Sequence, residues 1–119
     1  MQKEILSMSE CTFSTTAKKQ LFEIYNAVNK NIYGFGTNDV KVITIDNLII
    51  FSAHHNRVPC LKALEKNYFT LKESVDAAIM KVFKEQLHEQ LTNKMDIHPK
   101  AILRDYSADT LIVITVIVL

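Results

Sequence analysis

Two stretches of the chain repeat apolar residues with a helical period. In residues 17–33 the apolar positions recur at spacings of three and four, and in residues 70–91 they recur every four residues. Both patterns predict amphipathic helices, the second about 22 residues long. Gly34 is typical of a glycine that ends a helix. Thr70, with Glu73 three residues later, predicts a capping box at the start of the long helix.

Four apolar runs with β-branched residues predict strands. Residues 40–45 and 48–53 flank Asp46 and Asn47, which predict a two-residue hairpin turn. Residues 97–103 contain Pro99, which places this strand at an edge or starts it after the proline. Residues 107–109 predict a turn, and residues 110–119 the last strand. A short helix is expected from Pro59 to about residue 67.

This order of elements predicts a single α+β domain over residues 1–119, with residues 1–12 as a tail or helix extension. The order is α-β-β-α-α-β-β, which favours a mostly antiparallel four-stranded sheet with helices packed on one face. Both faces of the last predicted strand are apolar. Since the helices of one chain can cover only one face, we expect a homodimer whose interface combines the hairpin and the last strand.

Composition narrows the function classes. The chain has 119 residues, 14 of them basic and 13 acidic, for a formal net charge of +1. This balance offers no global attraction for nucleic acid, and no nucleic-acid partner is expected. The apolar run at residues 111–119 is shorter than the roughly 20 residues needed to cross a bilayer, so no membrane insertion is expected. The start of the chain lacks a signal-peptide pattern. Cys11 and Cys60 have no CxxC spacing, which favours free thiols and a cytoplasmic location.

The loop at Gly34, Phe35 and Gly36 is the first candidate ligand site. A glycine-rich loop can present backbone N–H groups to an anion. The alternative is a helix stop followed by a tight turn, because the loop matches no phosphate-binding motif and precedes a strand. Arg104 and Asp105, expected at the end of the third strand, are the second candidate. They could face a ligand, although Asp105 also suits a turn.

Histidine and cysteine residues raise the question of catalysis or metal binding. His54 and His55 are adjacent on a predicted strand and therefore point to opposite faces. Cys60 or His98 could approach one of them, but no third group is apparent that would orient a Cys-His pair. We expect Cys60 to be a packed thiol at a helix start. The sequence therefore predicts no enzyme, no catalytic residues, no metal and no cofactor.

From about Leu21 to Leu119 the chain resembles a bacterial family. The resemblance begins at Tyr25-Asn26 and the Gly34-Phe35-Gly36 loop, and continues through the hairpin, Pro59, the long helix and a strand that ends at Asp105. The family is the MpsC-like family (DUF2294), named for a component of a sodium-translocating, membrane-potential-generating system. The resemblance implies a non-enzymatic accessory protein linked to membrane ion or inorganic-carbon transport, with a membrane transport protein as a possible partner. The alternative function is a small-ligand sensor that binds an anion or nucleotide at the Gly34–Gly36 loop.

Overall fold

The computed structural model describes residues 13–56 and 58–119. Within these described residues, three helices and four strands follow one another in the order α-β-β-α-α-β-β. The helices are α1 (Thr15–Tyr33), α2 (Pro59–Lys62) and α3 (Phe69–Met95). The strands are β1 (Asn38–Ile45), β2 (Leu48–His54), β3 (Ala101–Ser107) and β4 (Ile112–Val118). The predicted α+β fold, with helices on one side of a four-stranded sheet, is confirmed.

The sheet is antiparallel throughout, with the strand order β1-β2-β4-β3. β2 pairs with β1 through a tight hairpin and with β4 on its other side, so β1 and β3 are the two edges. The predicted turn at Asp46-Asn47 is present, and Asp46 adopts a φ of 50°. Aspartate tolerates this left-handed conformation better than most residues, which explains its place in the turn.

One face of the sheet carries the hydrophobic core. Phe51 stacks on Tyr25 of α1 with ring centroids 4.5 Å apart, and Phe83 of α3 meets the same tyrosine edge-on at 5.7 Å. All three residues are completely buried. Other fully buried residues of this core are Leu21, Ile49, Leu87, Leu91, Ile97, Val113 and Ile117.

Ser14 caps the start of the first helix, and Gly34 ends it, as the sequence predicted for that glycine. The Ser14 side chain accepts the Ala17 N–H at 3.0 Å. Gly34 has a φ of 87°, and its N–H reaches the Lys30 carbonyl at 3.0 Å. Such a φ is strained for residues with a Cβ, which explains a glycine here.

The start of the long helix differs from the prediction. The helix begins at Phe69 with Tyr68 as its N-cap, and no side chain caps it. Thr70 lies inside the first turn, so the capping box with Glu73 was wrong. A helix can begin without a side-chain cap where water satisfies its first N–H groups.

The third strand lies at a sheet edge and begins after Pro99, as the proline indicated. It spans Ala101–Ser107 and therefore continues beyond Leu103, where it was expected to end. Asp96 ends the helix in a left-handed conformation, and Ile97 is buried against the helix end, with its N–H 3.1 Å from the Leu91 carbonyl. A hydrophobic residue beside a left-handed helix end is a common way to close a helix. Its apolar character therefore reflects helix closure, and Arg104 lies in mid-strand.

Two further expectations concern the start of the chain and membrane insertion. The expected tail or helix extension at residues 1–12 lies outside the described residues. Within residues 13–56 and 58–119, no helix is long and apolar enough to cross a membrane.

Candidate functional site

Arg104 extends from β3 onto the same face of the sheet as the core. Its guanidinium carbon lies 3.7 Å from the centre of the Phe83 ring, which is a cation–π contact. Nη1 donates to the Tyr25 hydroxyl at 3.2 Å and to the Thr115 hydroxyl at 3.4 Å. Tyr25 and Thr115 are both fully buried. The guanidinium is therefore held in a fixed position by neutral groups.

Arg104 has no acidic partner among the residues that the structure describes. Ion pairs among the described residues include those of Lys72 with Asp76 and of His98 with Asp96, and neither involves Arg104. Neutral hydrogen bonds and a cation–π contact replace part of the hydration that this partly buried charge loses, but no counter-ion among the described residues does so. The hydrogen bonds to Tyr25 and Thr115 both come from Nη1, and the Tyr33 hydroxyl also interacts with the guanidinium. A guanidinium has five N–H donors, so some of them remain for a ligand. This arrangement favours an external anion.

A cavity of about 400 Å³ opens beside this guanidinium. Tyr33 at the end of α1, His55 after β2, and Arg104 and Tyr106 of β3 form its inner end. Leu61 from α2, with Ile79 and Met80 from α3, adds apolar lining. A cavity that combines apolar lining with a few fixed polar groups is typical of small-molecule sites.

His55 lies within the aromatic part of this cavity and is 5% exposed. Its ring contacts Tyr33 edge-on at a centroid distance of 4.5 Å, and Phe35 and Tyr106 lie 5.5 and 5.9 Å away. Burial, assisted by the charge of Arg104, lowers the pKa of His55 to about 4. The imidazole is therefore neutral at pH 7, and its buried Nε2 has no hydrogen-bond partner among the described residues.

Tyrosine hydroxyls contribute neutral polar groups to the same region. Tyr106 donates to the His55 carbonyl at 2.8 Å. Burial raises the pKa of Tyr33, and the nearby Arg104 charge only partly opposes that effect. Both His55 and Tyr33 are thus uncharged at neutral pH. Arg104 is the charged group at the inner end of the cavity.

The outer margin of the cavity carries charges of both signs. Lys72 donates to Asp76 at 2.6 Å, one helical turn away on α3. Lys62, Glu65 and Glu73 line the same margin. Lys62 and Glu73 are exposed, and the partly buried Lys72 and Asp76 neutralise each other, so the mixed charges of this margin add little net attraction for an anion. Discrimination by charge therefore depends on Arg104.

The predicted loop site is not part of this cavity. The Gly34 N–H is already bonded within the helix end, and Asn26 accepts the Thr37 N–H at 3.2 Å. A Cβ on Gly36 would lie 2.6 Å from the Asn26 side-chain oxygen, so this glycine allows a close approach of backbone and side chain. The loop meets the cavity region only through Phe35, which packs near His55.

Arg104 and Asp105, the second predicted site, lie on opposite faces of the sheet. Arg104 points into the core side, whereas Asp105 alternates to the opposite face and is exposed. The Asp105 carboxylate accepts the Tyr106 N–H at 3.0 Å. Asp105 also borders the cavity, at the edge of the sheet. The prediction that both end the third strand was wrong, because the strand continues to Ser107.

The remaining candidates do not converge on a reactive centre. Cys60 is a free, exposed thiol in α2, so its prediction as a packed thiol was wrong. Helix α2 is only four residues long and buries none of them. His98 pairs with Asp96 at 2.7 Å, far from His55 in sequence. In residues 13–56 and 58–119, no three His, Cys, Asp or Glu side chains are grouped so that they could hold a metal.

The neighbours of Arg104 were missed by sequence reasoning, although a weak signal was present. Thr115 interrupts an otherwise apolar strand, and Arg104 interrupts the one beside it. The register places these two residues directly opposite each other. Two polar interruptions facing each other on a buried face indicate a shared hydrogen bond. The contributions of Tyr25 and Phe83 depend on helix packing and had no local signal.

Comparison with known proteins adds no constraint on function. No family model matches the chain, and no curated protein or solved structure is significantly similar to it. The resemblance to the MpsC-like family therefore stays a prediction.

Proposed function

We propose that this protein is a non-enzymatic binding domain that takes a small anionic ligand in the cavity around Arg104. The observation that supports it is a fixed guanidinium at the inner end of a cavity of about 400 Å³, with no acidic partner in the described chain. This is the predicted ligand-binding alternative, with its site moved from the Gly34–Gly36 loop to Arg104.

The chemistry of the cavity favours an organic carboxylate or a phosphate ester. A guanidinium offers paired N–H groups that match the two oxygens of a carboxylate or phosphate. Leu61, Ile79 and Met80 supply contact for an apolar body attached to that group. The volume suits a small metabolite, since ligand cavities begin at about 300 Å³.

The proposed role is binding without catalysis. His55 is neutral and enclosed by aromatic rings, which suits packing more than proton transfer at neutral pH. Cys60 is an exposed thiol on a four-residue helix. No cofactor is part of the proposal.

Calorimetric titration with benzoate, benzamide and inorganic phosphate tests the proposal. Benzoate and benzamide have nearly the same shape, so their difference isolates the negative charge. We expect saturable binding of benzoate or phosphate and none of benzamide. Arg104→Lys keeps the charge but loses the paired donors, and should weaken binding roughly tenfold or more. Arg104→Met should abolish it.

Lys81→Met is the matched control, because Lys81 is an exposed cation on α3 that does not line the cavity. It should bind the anion as the wild type does. Circular dichroism establishes that each variant is folded. If neither anion binds the wild type at millimolar concentration, or if Arg104→Met binds equally well, the proposal is wrong.

A second candidate is an accessory role in the cytoplasm through contact with another protein. The apolar face of the sheet that the helices leave uncovered favours an interaction, with Leu103 58% and Ile45 53% exposed, and a second copy of the chain on this face would compete with such a partner. The family resemblance makes a membrane ion or inorganic-carbon transport protein the partner of this proposal. Binding to native membrane vesicles, but not to liposomes made from their extracted lipids, would support it. Equal binding to both, or to neither, would contradict it.

A further inference from the structure

The sheet has an open face, defined here as the surface turned away from the helices. Its exposed apolar side chains come from three strands, with Ile43 on β1, Leu103 on β3 and Ile112 on β4 at 46, 58 and 43% exposure. Further apolar residues fill the face between them by strand alternation: Ile45, Leu48, Ile50, Ala101, Ile114, Val116 and Val118. An apolar surface that extends across a whole sheet indicates an interface.

Opposite charges mark the two edges of this open face. The strand register aligns Lys41 with Ser52, Ser52 with Ile114, and Ile114 with Asp105. These four residues therefore form one row across the sheet. Three strand spacings of about 4.8 Å separate its ends by roughly 14 Å. The row begins with a cation at the β1 edge and finishes with an anion at the β3 edge.

We propose that two copies of the chain pack open face to open face about a two-fold axis that runs parallel to the strands. This operation places β1 of one copy over β3 of the other, and β2 over β4. Lys41 of each copy then faces Asp105 of its partner, which forms two equivalent ion pairs at opposite rims of an apolar interface. An isologous contact requires such self-complementarity.

The charge row selects this axis over the alternative. A two-fold axis perpendicular to the strands, passing through the same row, stacks each strand on its own copy. Lys41 would then face Lys41, and Asp105 would face Asp105. Like charges at a contact oppose association, so the parallel axis is favoured.

The open face is also of a suitable size for a second copy. Four strands about 4.8 Å apart and seven residues long, at about 3.3 Å per residue, cover roughly 440 Å² in projection. Side chains that stand out of the plane make the accessible area larger. A standard interface buries about 800 Å² from each partner, which is within a factor of two of this projection.

Charge reversal with sedimentation equilibrium tests the geometry. The samples are the full-length wild type, Lys41→Asp, Asp105→Lys and the double variant, at low and high salt. We expect a wild-type dimer. Each single variant creates two repulsive contacts and should raise the dimer dissociation constant at least tenfold at low salt. The double variant restores opposite charges and should return to within about threefold of the wild type.

Lys81→Asp is the control for a general loss of positive charge, because α3 lies on the other side of the sheet. It should dimerise as the wild type does. High salt should reduce the differences among the variants. A monomeric wild type at tens of micromolar would overturn the proposal and assign the face to another occupant. Failure of the double variant to recover, or single variants that behave like Lys81→Asp, would overturn the axis.

Discussion

The two faces of the sheet are built from similar residues but differ in what covers them. On the covered face, Ile49, Phe51 and Ile117 are completely buried beneath α1 and α3. The open face carries the alternate residues of the strands, and there Leu103 and Ile112 are 58 and 43% exposed. Hydrophobicity along a strand therefore states that a residue needs cover. It does not state whether the same chain supplies that cover.

The faces also treat charge differently. Arg104 on the covered face is held among aromatic rings and hydroxyls, with no acidic partner in the described residues. Lys41 and Asp105 on the open face lie at the sheet edges, where water hydrates them. A charge among apolar groups is stabilised most by a ligand of opposite charge, whereas charges around an apolar surface orient a partner.

Truncation of one side chain on each face should show the largest difference between the two faces. Phe51→Ala removes a ring that stacks on Tyr25, and should lower the free energy of unfolding by about 3–5 kcal/mol. Leu103→Ala should cost less than about 1 kcal/mol in the monomer, because more than half of that side chain is already exposed. Urea denaturation at low protein concentration measures both. Equal losses would contradict the distinction between the faces.

His55 lies on the covered side of the sheet, where burial should make the stability of the fold depend on pH. Its pKa is about 4 in the fold, below its ordinary value of 6.5, so the unfolded chain binds the proton more readily. The contribution of neutral His55 to the stability of the fold is complete above pH 6.5 and is lost as the pH falls towards 4. Acidification from pH 7 to pH 5 should therefore cost on the order of 1–2 kcal/mol.

Urea denaturation as a function of pH measures this effect, and His55→Phe should remove it. His88→Gln is the control, because His88 is an exposed histidine of α3. It should keep the wild-type dependence on pH. If His55→Phe retains the same loss of stability, a different group is responsible.

Arg104→Met should have a small effect on stability and a complete effect on binding. The variant loses two hydrogen bonds and a cation–π contact, but it also removes a partly buried charge without a counter-ion. Tyr25 and Thr115 retain each other as partners at 3.5 Å. Without added anion, we expect the free energy of unfolding to stay within about 1 kcal/mol of the wild type. A loss well above that in urea denaturation would make Arg104 a structural residue.

Much of the fold follows from short-range signals. The stripe at Leu21, Ile24 and Val28 identified α1, and Gly34 identified its end. The Asp46-Asn47 turn identified the hairpin. Each signal acts within a few residues, through helix periodicity or backbone conformation, and is therefore readable along the chain. Pro99 likewise indicated an edge strand that begins after it, whereas the end of that strand at Ser107 was missed.

The candidate site was only partly readable for the same reason. Arg104 was named from sequence, but it was paired with Asp105 and with the Gly34–Gly36 loop. Strand alternation sends Asp105 to the other face, and internal hydrogen bonds occupy the loop. The aromatic residues around Arg104 come from α1 and α3, which are distant in sequence.

The sequence by itself determined the element types, the antiparallel sheet and the surplus of apolar strand surface, because these depend on local periodicity and turn chemistry. Tertiary structure decided the strand order β1-β2-β4-β3, and with it two features that no local pattern contains. It placed Arg104 over Phe83 beside a cavity, and it aligned Lys41 and Asp105 at opposite ends of one row. Both depend on which residues from separate parts of the chain become neighbours, and packing of the whole chain sets those neighbours.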